Sequence, residues 1–255
     1  IDYEAAVTLI EDAKLKTDSQ KRLAQLDAAR KKFEQFLAQH PEHPQAGSAR
    51  LQLGNILVER GKTLADKGRR SKVAAEKDAQ LGQARELLGE AQKVFAEAES
   101  RFQAEFDLAK SRRGGKGGDD DERNAELREA RLDLIQAHYF GGHALAELAR
   151  THVNGSPEFC QLFEQAAAKY GETYQKYDRL LGGLYCRMWQ GHCFQELGNT
   201  KQALAYYQDV LAVPDQDPDF HLLRAKALRL ALRGRELCWH FIGQLQANKT
   251  RTVAE

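Results

Sequence analysis

One stretch of the chain sets the tightest limit on its fold: Gly191 and Phe194, then Gly198, Ala203, Tyr207, Val210 and Pro214, closing near Pro218. An aromatic three residues after one glycine, a second glycine where a chain must turn, and an alanine and tyrosine four apart describe two short helices packed as a hairpin. Such a hairpin has an apolar face that it cannot bury alone, so it requires helical neighbours. The rest of the sequence supplies them. Apolar residues recur at three- and four-residue intervals throughout, and no alternating run marks a strand, so the chain reads as all-α.

The pattern resembles a tetratricopeptide repeat, a 34-residue helix-turn-helix unit. Gly191 and Ala225 stand one such repeat apart. Earlier in the chain, Ala29, Phe33, Phe36 and Pro41 are similar to the second helix of a unit, and Leu53, Gly54, Leu57 and Gly61 to the first helix of the next. A glycine at this place acts by lacking a side chain, which lets the facing helix come close at a cost of about 1 kcal/mol in helix propensity. Ala29, Phe33, Gly54, Gly141, Gly191, Ala203 and Tyr207 are therefore the expected packing positions. The resemblance implies a helical-hairpin solenoid with a concave groove. The segment from Phe33 to Gly61 looks most like repeats of bacterial cell-envelope proteins, which implies a periplasmic or envelope setting.

Gly54 and its next counterpart, Gly141, are 87 residues apart, far more than one repeat. The excess is patterned. Leu81, Ala84, Leu88, Ala91, Phe95, Ala98 and Phe102 step by three and four, as do Leu127, Ala130, Leu134, Ala137, Gly141, Ala144 and Leu148. Each run makes a seam along a helix, and two such helices can pair. Ala91, Phe95 and Ala98 form the second-helix signature inside the expansion. The expected organisation is N-terminal repeat-like helices over 1–61, an extended antiparallel helical hairpin over 62–150, repeat-like helices over 151–248 and a frayed tail over 249–255. The link at 112–121 is rich in glycine and charge and reads as a flexible loop. Cys238 to Leu245 is expected to close the stack.

Chemistry has little to stand on. Gly114 to Lys116 is not a phosphate loop, since Lys110 stands where a glycine is needed and Gly117 where Ser or Thr is needed. The run Asp119 to Glu122 lacks the alternation of a calcium loop and suits a solvated helix start. His40/His43 and His138/His143 lack supporting ligands, and no HExxH, GxSxG, Rossmann or kinase pattern occurs. No catalytic residue, metal or cofactor is therefore expected. Cys160, Cys186, Cys193 and Cys238 read as small core residues. Lys67, Arg69, Arg70 and Lys72 read as a solvated turn near a helix junction. A formal net charge of +1 argues against nucleic acid as partner, and no apolar run is long enough for a membrane span. A chain starting at Ile1 with Met188 as its single methionine is expected to be a processed product or part of something longer.

In the resembled family the first helix of each repeat lines the groove. Carried over by position, this implies Tyr185, Met188, Trp189, His192, Gln195 and Glu196, then Leu222, Leu223, Lys226 and Arg229, with Asn55 on an earlier helix. Tyr185 and Trp189 have an equal claim to be core residues. The family's clamp for chaperone C-termini is not expected, because Asn55 alone matches it while Leu51 and Trp189 occupy places of its polar members. The expected function is a noncatalytic scaffold binding a protein or peptide segment. The alternatives are an assembly protein that associates through 62–150, and a substrate-recognition segment of a larger enzyme.

Overall fold

The computed structural model describes residues 2–16, 18–112, 120–214 and 218–232. Those residues are all-α: α1 (Asp2–Lys14), α2 (Ser19–Gln39), α3 (Ala46–Arg70), α4 (Ala74–Arg112), α5 (Asp120–Ala149), α6 (Pro157–Tyr177), α7 (Leu181–Glu196), α8 (Thr200–Leu211) and α9 (Pro218–Leu232). They form two compact units, Ile1–Asn154 and Gly155–Glu255. The interior of the glycine-rich link, the proposed closure at Cys238 to Leu245 and the tail lie outside the described residues.

The first unit starts with a hairpin of α1 and α2. Asp18 caps α2 by accepting from the backbone N–H groups of Gln20 and Lys21, satisfying donors the helix leaves open. Ala29 and Phe33 are fully buried on α2. Tyr3 of α1 meets Phe33 edge-on at 5.8 Å between ring centroids.

From α3 onward a single steric device governs the packing. Gly47, Gly54, Gly61 and Gly68 recur every seventh residue on α3, and Phe102, Phe95, Leu88 and Leu81 recur every seventh residue on α4 in the opposite direction. Each glycine is a hole for its opposite number. A Cβ on Gly47 would lie 2.6 Å from the Phe102 ring, on Gly54 2.5 Å from Phe95, on Gly61 2.7 Å from Leu88, and on Gly68 3.3 Å from Leu81. Seven-residue spacing keeps a contact line on one side of a helix, which is the geometry of a coiled-coil seam. α3 continues across the expected boundary after Gly61. Gly61 and Gly68 still receive side chains from α4, so α3 runs on to Arg70 before the chain turns.

The long helices α4 and α5 pair antiparallel, as expected. Arg112 bonds Glu126, Glu99 faces His138, and Phe95 stacks on Phe140, an order that runs backwards along α5. Guanidinium groups tie the ends of these helices. Arg101 donates to the carbonyls of Pro41 and His43, fixing the connection before α3. Arg85 donates to the Thr151 carbonyl at 2.8 Å and Arg69 to the Arg150 carbonyl at 3.1 Å, so the C-terminal end of α5 is capped by cations from α4 and α3. Arg69 is thus more than part of a solvated turn. Buried Glu147 is held by Arg150 at 2.6 Å and Lys62 at 3.6 Å.

In the second unit Ser156 caps α6, with Pro157 at its first turn. Gly198, at φ 78°, lets α7 end in a left-handed residue, and Asn199 then caps α8 by accepting from the Gln202 N–H. Leu184, Met188, Ala203, Tyr207, Val210, Leu223, Ala227 and Leu230 make the core. Gly191 meets the Tyr207 ring as Gly54 meets Phe95: a Cβ there would lie 2.9 Å from it and 3.2 Å from the Ala203 carbonyl. At Gly183 an added Cβ would fall onto the carbonyl oxygen of Tyr177.

Gly82 and Gly89 on α4 have nothing within 4 Å of an added Cβ, which makes them controls for the seam. Gly82→Ala and Gly89→Ala gain helix propensity without a clash and should each stabilise the protein by about 0.5–1 kcal/mol. Gly54→Ala gains the same propensity but overpacks Phe95, which costs about 1–3 kcal/mol. Urea denaturation should therefore move in opposite directions for the two classes.

Candidate binding face on α7 and α9

On α7 a three- and four-residue alternation separates what faces the core from what faces water. Leu184, Met188 and Gly191 are buried, while Tyr185, Trp189, His192, Gln195 and Glu196 are half-buried. Tyr185 and Trp189 pack against the core and stay partly exposed. The Trp189 and His192 rings meet edge to face at 5.3 Å, and His192 Nε2 lies 3.4 Å from Glu196 Oε1. From α9, Lys226 Nζ sits 5.1 Å above the centre of the Tyr185 ring. Leu222 is 58% exposed and Arg229 is exposed.

Three expected groove residues are placed differently. Met188 and Leu223 are core residues at 1% and 0% exposure, because each points into the space shared with α8. Gln195 is committed internally: Tyr207 Oη donates to its Oε1 at 2.8 Å, and its Nε2 donates to the Leu230 carbonyl at 3.3 Å. It is a bracket between α7, α8 and α9. Asn55 is half-buried on α3 and belongs to the first unit, whereas the other groove candidates belong to the second. Ala225, in register with Gly191, is exposed.

Counting repeat positions passes over Arg187. Its guanidinium lies 4.5 Å from the Tyr174 ring centre and 4.0 Å from that of Tyr206, with Asp209 Oδ2 accepting from its Nε at 2.8 Å and Gln190 Oε1 from its Nη1 at 2.9 Å. One cation thus joins α6, α7 and α8. The available signal was the single arginine of α7. Such a group survives half-buried only with partners.

Burial shifts two titratable groups here. Burial pushes the Cys186 thiol up to about 12 against a hydrogen bond with Thr173, so it stays protonated rather than becoming a nucleophilic thiolate. Burial, with Cys193 and Glu196 nearby, also raises the Tyr207 hydroxyl, keeping it a donor to Gln195. Cys193 is buried and Cys160 half-buried; neither they nor Cys186 form a disulfide among the described residues. Among the described residues, no group of three or more His, Cys, Asp or Glu side chains is placed to hold a metal ion, and no helix is long and apolar enough to cross a membrane.

No protein-family model matches the chain, and none of the curated proteins does. Among solved structures, a chain described as "Computational Design of Self-Assembling Cyclic Protein Homooligomers" is similar over 97% of this chain and 94% of its own, at 10% identity and a TM-score of 0.28. A score that low carries no argument about architecture or assembly.

Replacing Arg187 separates its charge from its shape. Arg187→Ala should cost about 2 kcal/mol in thermal or urea unfolding through the lost ring contacts and the unpaired Asp209. Arg187→Lys, which keeps the charge but not the flat stack, should recover only part of that loss. Equal stability of all three proteins would show that the cluster is not structural.

Proposed function

We propose that the chain is a noncatalytic protein-binding scaffold of tetratricopeptide-like helical hairpins, with its binding face on α7 and α9. The observation that carries the reading is the pair Tyr185 and Trp189. Each is packed against the core yet partly exposed, the condition under which an aromatic anchors a partner at little entropic cost. The matching contacts Gly54–Phe95 and Gly191–Tyr207 support a repeated hairpin unit. The likeness of Phe33 to Gly61 to envelope-protein repeats supports a periplasmic or envelope setting.

Panning a displayed library of extended peptides against the full chain tests this reading. Trp189→Ala should weaken the selected peptides by about thirtyfold, the size expected of an interface anchor, with helical circular dichroism unchanged. Selected peptides indifferent to both Trp189→Ala and Tyr185→Ala would place binding elsewhere.

A second reading, self-association through α4, is favoured by Gly82 and Gly89. They repeat the seven-residue spacing of the α3 glycines, yet meet nothing among the described residues. Sedimentation velocity of the wild type and Gly89→Arg decides it: a dimer abolished by the substitution supports the reading, and a monomer in both cases removes it.

A further inference from the structure

We infer that the face of α7 and α9 takes an acidic, extended segment of a partner protein. This rests on the scaffold reading and names the partner's chemistry. α9 carries Asp219 in its first turn and then Arg224, Lys226 and Arg229, with no further carboxylate as far as Leu232. On α7 the single carboxylate, Glu196, lies beside His192, and the single arginine, Arg187, is matched by Asp209. Lys226 and Arg229 have no carboxylate partner among the described residues, in contrast to Arg22 with Glu59, Arg30 with Glu34 and Glu90, Arg60 with Asp27 and Arg101 with Glu105. Two unmatched cations on one face set a positive field that an acidic segment completes.

The geometry adds register. Leu222, Lys226 and Arg229 are four and then three residues apart, so they line one side of α9. Lys226 is half-buried over the Tyr185 ring, which fixes its ammonium group and removes part of its water before a partner arrives. Exposed Leu222 and partly exposed Trp189 offer apolar contact on the same two helices. A segment that intersperses Asp or Glu with apolar side chains satisfies both. The residues following α9 in this chain do not have that composition: Arg233, Arg235, Lys249 and Arg251 outnumber Glu236 and Glu255.

The test is the displayed peptide library panned against the full chain, with the selected peptides then titrated against a Lys226→Glu/Arg229→Glu variant whose fold is checked by circular dichroism. The selected peptides should be net negative. They should bind the variant at least about tenfold more weakly, and binding should fall as salt rises. Neutral or basic selected peptides that ignore the charge reversal but still depend on Trp189 would overturn the acidic assignment and leave the scaffold reading standing. No selection of any peptide would overturn both. A salt-sensitive homodimer that is lost on neutralising the acidic run Asp119 to Glu122 would assign the face to a second copy, and so overturn the foreign partner.

Discussion

The first unit depends on the absence of side chains along one line of α3. Four glycines at seven-residue spacing let α4 lie close enough for Phe102, Phe95, Leu88 and Leu81 to enter the gaps. The helix gives up propensity at every one of those positions, about 1 kcal/mol relative to alanine. Burial of the opposing side chains offsets it, since fully burying a leucine or phenylalanine is worth about 1.5–3 kcal/mol each. The pairing also sets direction and register: a slip of one helical turn would drive Phe95 against a residue that has a Cβ. With α4 so placed, the same Phe95 ring also stacks on Phe140 of α5. Arg85 and Arg69 then close the end of α5.

The second unit uses the same device at Gly191, which receives Tyr207, and at Gly171, which receives Gln190, and supplements it with polar brackets. Gln195 links the tyrosine hydroxyl to the backbone of α9, and Arg187 joins three helices through two aromatic rings and a carboxylate. These contacts consume polar groups that a count along the helix would offer to a ligand. What they leave accessible is narrower and better defined: Tyr185, Trp189 and the cations of α9. A rigid support with an accessible aromatic surface is the requirement for binding without a large ordering cost.

Much of this was legible in the residues because steric demands leave marks in composition. Gly54 was legible as a packing position and Ala91, Phe95 and Ala98 as a second-helix signature, and the three-and-four stepping on α4 and α5 pointed to their pairing. The length of α3 was not read, because Gly61 looked like the end of a repeat; only the neighbours Gly47 and Gly68 reveal it as one step in a longer seam. Met188 and Trp189 are adjacent in sequence yet differ in burial. A positional count assigns a side chain to a helix side, whereas depth depends on how closely α8 and α9 approach. Gln195 was expected in the groove and Arg187 was passed over for a related reason, since their partners lie on other helices and no local pattern announces them.

The central claim is that α3 and α4 are locked in one register by glycines receiving specific side chains. A double-mutant cycle measures it most directly, pairing Gly54→Ala with Phe95→Leu and, as a register control, Gly61→Ala with Phe95→Leu. The smaller side chain should relieve the clash at Gly54, giving a favourable coupling of about 1 kcal/mol, while the control pair should be additive within about 0.5 kcal/mol. Equal couplings in the two cycles, or additivity at Gly54 and Phe95, would contradict the register.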